Sequence, residues 1–234
     1  MTDYQLLESG LRQAAPGFSP QAVDYLMEFS AMLLERNKVM NLTAVTDPTE
    51  VVTRHFLDCA ALAPLMPKGG RVLDVGTGAG FPGMPLAILC PETEFVLLDA
   101  LRKRVDFLGE VIDTLGLSNC TAVHARAEEY AAVHRESFDA ATSRAVADLR
   151  TLCEFALPMV KVGGVFLAMK AADCADEVAA AANAFAVLGA REPELLRYTV
   201  PHDGVERVIV RLHKTAATPP QYPRRFKKIQ SAPL

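Results

Sequence analysis

The sequence predicts an α/β protein: a mostly parallel seven-stranded sheet with an antiparallel last strand, covered by helices and preceded by a helical extension. Three observations predict it. Short runs rich in Val, Leu and Phe alternate with helix-length segments from residue 71 to residue 188. The first run, Val72-Leu73 ending in Asp74, stops in glycines at 76, 78, 80 and 83. The last two runs, 194–201 and 205–213, are separated by His202-Asp203-Gly204, the spacing of an antiparallel hairpin.

Residues 1–66 read as the helical extension. Ser19-Pro20 supplies a cap and a first-turn proline, and Val23, Leu26, Met27, Leu33 and Leu34 then recur at helical spacing. Phe29 and Met32 widen that apolar face, and residues 37–43 break it. Asp47-Pro48-Thr49-Glu50 is a capping-box-like start for a helix carrying Val51, Val52, Phe56 and Leu57, whose apolar face Arg54, His55 and Asp58 interrupt. After Pro67-Lys68-Gly69-Gly70 the pattern changes. Strands are predicted at 71–75, 94–99, 119–124, 138–143 and 163–169, with helices at 83–89, 101–115, 148–157 and 173–188. The chain divides into the extension (1–66), an α/β core (67–214) and a C-terminal tail (215–234).

With 234 residues, half of them apolar and 22 % charged, the composition is that of a globular chain with a substantial core. No apolar run approaches the ~20 residues of a membrane span, and MTDYQLLESG lacks a signal-peptide core, so a cytoplasmic protein is expected. Five cysteines without a C-x-x-C pair and five histidines without ligand spacing predict reduced thiols and no metal. Charge is segregated. From Arg207 onward there are seven Lys/Arg and no acid, whereas 17 basic and all 28 acidic residues precede it. A basic tail on an acidic body points to a local polyanion contact, or else to a solvated tail.

A strand ending in alternating glycines leaves a turn whose backbone N–H groups can meet a ligand at close range. Two frames fit it. Gly78-Ala79-Gly80-Phe81-Pro82-Gly83 satisfies G-x-G-x-x-G, the dinucleotide fingerprint. Asp74-Val-Gly76-Thr-Gly78-Ala-Gly80 is D-x-G-x-G-x-G, and it resembles the first motif of class I S-adenosylmethionine methyltransferases. In that frame Asp74 would reach the positively charged amino-acid portion of a ligand, and the hairpin-terminated sheet fits as well. Asp99, ending the second strand 19 residues after Gly80, serves ribose hydroxyls in either frame, or the start of the next helix. Ala127-Glu128-Glu129 follows the third strand, as an adenine contact or simply a helix start.

A sharper match rests on several motifs together. Asn41-Leu-Thr43, Arg54-His-Phe-Leu-Asp58, the glycine block with Phe81-Pro82-Gly83, Leu98-Asp99-Ala100-Leu101-Arg-Lys-Arg104, Ser143-Arg144-Ala145 and Tyr222-Pro-Arg-Arg225 resemble the RsmG (GidB) family from about residue 37 to the end. The resemblance implies a Rossmann-like class I methyltransferase fold, S-adenosyl-L-methionine as cofactor, and 16S rRNA of the small ribosomal subunit as partner. It implies methylation of N7 of one guanine in the 530 loop, by a chain expected to be monomeric. By position, Gly76, Gly78, Gly80 and Phe81 would line the methionine side of the cofactor and Asp99 its ribose. Ala127 and Glu128 would line the adenine. Arg144 would stand at the cofactor–substrate junction, with Arg126 as the second catalytic arginine beside the site. The tail, PRRFKKIQSAPL, departs from the glycine/proline pattern of some members. Arg54 and His55 are read either as an RNA face shared with residues 224–228 or as polar residues of a packed helix.

Guanine N7 carries an in-plane lone pair and needs no general base, which suits a chain without a Ser-His-Asp or Cys-His arrangement. Rivals are a methyltransferase with another target, a nicotinamide-dependent oxidoreductase and a non-catalytic ribosome-assembly factor.

Overall fold

A computed structural model describes residues 1–234. Seven strands form one sheet: β1 Arg71–Val75, β2 Glu94–Asp99, β3 Cys120–His124, β4 Phe138–Arg144, β5 Val160–Ala171, β6 Glu194–Thr199 and β7 Glu206–His213. Their order is β3-β2-β1-β4-β5-β7-β6. The first five are parallel, and β7 runs antiparallel to both β5 and β6. The last strand in sequence is thus the antiparallel one, inserted between β5 and the edge strand β6. After β3 the chain returns to the other side of β1, so the strand order reverses between β1 and β4. In such sheets the loops leaving adjacent strands diverge at the carboxyl ends and open a crevice.

Ten helices surround the sheet. The extension holds α1 (Asp3–Ala14), α2 (Gln21–Met40) and α3 (residues 48–60, with one wide turn at Val52–Leu57). The core adds α4 (Gly83–Leu89), α5 (Arg102–Leu115), α6 (Ala127–Val133), α7 (Leu149–Ala156), α8 (Ala175–Ala180) and α9 (Ala182–Val187). The tail forms α10 (Phe226–Ser231). Asp47 caps α3 by accepting from Glu50 N at 3.0 Å, as expected. Ser19 caps through its carbonyl, accepting from Ala22 N at 2.9 Å, and not through its side chain. The helix expected over 173–188 is two pieces, because the backbone bends at Ala181. β5 begins at Val160, earlier than expected, since the ladder continues through the Gly163-Gly164 pair that reads as a break.

One apolar cluster of 38 buried residues joins α1–α5 to one sheet face, and a second of 27 packs the other face with α7, α9 and α10. Phe29 of α2 is the hub of the first, with ring centroids 5.7 Å from Phe56, 5.6 Å from Phe81 and 6.4 Å from Phe107. α1 crosses α3 so closely that a Cβ on Gly10 would stand 2.4 Å from Leu57 Cδ1. The extension therefore fixes α3, and α3 delivers its polar residues to the crevice.

Candidate active site

Two adjoining cavities occupy the crevice. The larger, about 520 Å³, is lined by the glycine loop, Phe81, Asp99, Arg104, Arg144, and Thr43 and His55 from the extension. The smaller, about 180 Å³, is lined by Val75, Leu98, Arg126, Ala127, Glu128, Phe155 and Phe226. They share Gly76, Asp99, Ala100 and Val146, so Asp99 stands at their junction.

The loop after β1 is shaped by backbone conformation. Gly76 has φ +69°, and a Cβ there would lie 2.8 Å from Val146 Cγ2. Ala145, directly after Arg144, is held at φ +55°, which turns Val146 over the loop. For a residue with a Cβ that conformation costs about 1–2 kcal/mol. Gly78 has φ +61°, and its missing Cβ leaves open space at the cavity wall. Asp99 Oδ2 accepts from Gly78 N at 2.9 Å and Oδ1 from Leu101 N at 2.8 Å. One carboxylate thereby sets the glycine loop and the start of α5 in register across the crevice. The Thr77 side chain is buried at the wall beside Asp74.

Two expectations are corrected here. Gly80 does not reach the cavity: a Cβ there would meet Leu108 Cδ2 at 2.8 Å and Met84 Cβ at 3.1 Å, so it closes the loop onto the core. Asp74 is fully buried and accepts from Gly83 N at 2.8 Å, tying β1 to α4 instead of meeting a ligand's amino group. Burial lifts its carboxyl to about 6.

Arg144 ends β4 at the far wall of the larger cavity. Nη1 donates to Asp58 Oδ2 and to Arg54 O, each at 3.2 Å, and Nη2 faces His55 Nδ1 at 3.1 Å. Its guanidinium carbon lies 4.8 Å from the Phe81 ring centroid, a cation–π distance. Asp58 is buried, and its second oxygen accepts from Tyr198 OH at 2.7 Å, with Arg207 Nε at 3.9 Å. His55 Nδ1 lies 3.1 Å from both Arg144 Nη2, which only donates, and Arg54 O, which only accepts, and Nε2 lies 2.9 Å from Thr43 Oγ1. Burial, and then the Arg144 charge, push His55 down to about 3, so it is neutral at physiological pH. Asn37 shapes the 41–43 loop: Oδ1 accepts from Leu42 N at 2.6 Å and Thr43 N at 2.9 Å, and Nδ2 donates to Thr43 O at 2.9 Å.

Arg126 and Arg144 are not brought together. They follow β3 and β4, which stand three strand spacings of about 4.8 Å apart in the sheet. Arg126 lines the smaller cavity beside Ala127 and Glu128, its guanidinium carbon 5.6 Å from the Phe226 ring centroid. His55 is engaged by Arg144, whereas Arg54 is exposed and pairs with Glu50 at 3.0 Å. Arg224 is not a free cation: Nη2 meets buried Glu154 Oε2 at 2.6 Å and Nε meets Oε1 at 2.8 Å. Lys214 is buried against Glu136 and two backbone carbonyls. Sequence reasoning missed Asp58, Tyr198, Phe155 and Phe226. A carboxylate on the otherwise apolar face of α3 was the signal for the first.

The sheet order with its antiparallel β7, the glycine loop after β1 and the carboxylate ending β2 define a class I S-adenosylmethionine methyltransferase. Solved structures share the fold: a SAM-dependent methyltransferase from Aquifex aeolicus (TM-score 0.52, 18% identity, 71% of this chain and 94% of that one) and M. jannaschii TYW2 in complex with AdoMet (TM-score 0.54, 17% identity, 66% and 73%). The GidB family, described as rRNA small subunit methyltransferase G, matches residues 22–202. Ribosomal RNA small subunit methyltransferase G of Desulfitobacterium hafniense is 46% identical over 208 residues, 88% of this chain and 87% of the relative. That of Clostridium tetani is 38% identical over the whole of both chains. The chain belongs to this family.

Proposed function

We propose that this chain transfers the methyl group of S-adenosylmethionine to N7 of a guanine in the 530 loop of 16S rRNA (guanine 527), acting as a cytoplasmic monomer. The observation that carries the reading is the pair of cavities joined at Asp99, with Ala127 and Glu128 at one end and Arg144 at the other. The names of the relatives, all small-subunit rRNA methyltransferases, support the substrate class.

The residues present fit the cofactor. Asp99 would take the ribose hydroxyls, in exchange for its bond to Gly78 N. The smaller, largely apolar cavity would take the adenine, and Gly76, Gly78, Thr77 and Phe81 would face the methionine portion. When bound, the cofactor supplies an electrophilic methyl carbon on a sulfonium.

The chain's own contribution is positioning and electrostatics. Arg144 lines the larger cavity and carries more N–H donors than Asp58, Arg54 O and His55 use. The spare donors would hold guanine O6 or a neighbouring phosphate, aligning N7 with the methyl carbon. Asp58 balances the guanidinium charge, and neutral His55 fixes its plane without adding charge. The target base must be unpaired or splayed, because a stacked helix hides its N7 edge. Arg225, Lys227 and Lys228, exposed on the tail, would contact phosphates. Arg126 would reach RNA from the adenine side.

The test uses methyl-labelled S-adenosylmethionine with unmodified 30S particles, naked 16S rRNA and bulk protein extract, followed by cleavage at 7-methylguanine. One labelled guanine in the 530 loop is expected. Label in protein, or at another RNA position, would overturn the substrate.

A further inference from the structure

We infer that the C-terminal helix α10 forms one wall of the adenine subsite, with Phe226 as a cofactor-binding residue held in place by the Arg224–Glu154 pair. This deepens the methyltransferase reading and rests on it.

Phe226 and Phe155 line the smaller cavity from the tail and from α7, with ring centroids 6.2 Å apart and planes inclined by 21°. Val75 and Leu98, from the ends of β1 and β2, complete an apolar wall, and Arg126 crosses the Phe226 ring. Aromatic and aliphatic surfaces of this kind stack on a purine face whatever its substituents.

The tail is not lying there loosely. Arg224 clamps Glu154 on α7 through two side-chain nitrogens and its backbone N, the last at 2.8 Å from Oε1. The Glu154 side chain is 1% exposed, so the pair is desolvated and geometrically specific. Arg135 Nη1 donates to Tyr222 O at 2.5 Å and Nη2 to Thr218 O at 2.6 Å. Ile229, one turn after Phe226, is fully buried in the second apolar cluster. Anchors therefore stand on both sides of Phe226 and fix its ring against the cavity. Arg225, Lys227 and Lys228, in the same segment, are left exposed. The segment thus has an inner face for the cofactor and an outer one for polyanion.

The experiment measures equilibrium binding of S-adenosylhomocysteine and of adenosine to the full-length chain and to three variants. Phe226→Ala is expected to weaken both probes by the same factor, about tenfold, since both carry the purine. Phe226→Tyr, which keeps the ring, should retain affinity, and Gln230→Ala, on the exposed side of α10, should match wild type. Should Phe226→Ala fail to fold, Phe226→Leu supplies the ring-less comparison. Wild-type affinity in the ring-less variant overturns the proposal, as does loss of S-adenosylhomocysteine binding with adenosine unaffected. Wild-type protein that binds neither probe overturns the methyltransferase reading itself and the proposal with it.

Discussion

Arg144 donates to Asp58 Oδ2 at 3.2 Å, and the other oxygen of that carboxylate accepts from Tyr198 OH at 2.7 Å. One buried acid on α3 therefore joins the end of β4 to the edge strand β6. It fixes the arginine that faces the larger cavity. Removing one member of a buried pair typically costs about 3–5 kcal/mol, because the other charge is left without a partner.

Arg144→Ala should lower kcat on the order of 10²-fold, the scale of losing a positioned donor at a reacting group. Asp58→Asn should reduce kcat less, by freeing the guanidinium without removing it. Tyr198→Phe should mainly destabilise, by roughly 1.5–3 kcal/mol for a hydrogen bond to a charged group. Single-turnover rates and thermal unfolding of the three variants separate these effects. Normal turnover in Arg144→Ala would sink the assignment.

The pH dependence of stability should carry His55's signature. Its folded value, about 3, lies below the ordinary histidine value of 6.5. Between these limits the unfolded chain binds a proton that the folded chain refuses, so stability falls as pH drops from 6.5 toward 3. The slope is at most about 1.4 kcal/mol per pH unit. Asp74 acts oppositely: its raised value, about 6 against 3.8, makes the folded state gain relative stability as pH falls through that window. His55→Gln should therefore flatten the acid-side loss of Tm relative to wild type. An identical Tm–pH curve would contradict a His55 held neutral by its surroundings.

RNA affinity should depend on the tail's outer cations. Replacing Arg225, Lys227 and Lys228 with Gln should reduce the slope of log K against log salt by about 0.7 for each single-strand phosphate that is no longer neutralised. A 530-loop RNA titrated at several salt concentrations gives that slope directly, and an unchanged slope would show that these cations do not meet phosphate. Arg224→Gln should behave differently: it leaves Glu154 buried and unpaired, so its main effect is a lowered Tm. Deleting the whole tail mixes the two effects, because it also uncovers Phe155 and Ile229's site in the core.

Glycine substitutions should separate binding from folding. Gly78→Ala places a methyl group at the open cavity wall and puts a Cβ at φ +61°, a strain of about 1–2 kcal/mol, so it should weaken cofactor binding with only a modest loss of Tm. Gly80→Ala drives a Cβ to within 2.8 Å of Leu108 and should lower Tm first, overpacking typically costing about 1–3 kcal/mol. Calorimetric binding beside thermal unfolding distinguishes the two. Equal effects of both variants on Tm would contradict the difference between the sites.

Local signals in the chain were enough for most of the elements, the parallel sheet with its antiparallel end, the glycine loop and the carboxylate that ends β2. Each depends on neighbours in sequence: a periodicity, a strand end, a turn residue needing φ > 0. Asp58 was visible only as a carboxylate interrupting an apolar helix face; its pairing with Arg144 and Tyr198 was not. Which partners met was a matter of tertiary closure. Strand order separates Arg126 from Arg144, so the two arginines expected beside one site line different cavities. Gly80 and Asp74 lie in the same motif as Gly78, yet the turn points them into the core. The tail's charge was visible as composition, but not its pairing. Arg224 finds Glu154 across 70 positions, and that closure shows which cations remain outside and which aromatic ring walls the pocket. A charge or a ring can be counted in the chain, whereas burial and partnership belong to the fold.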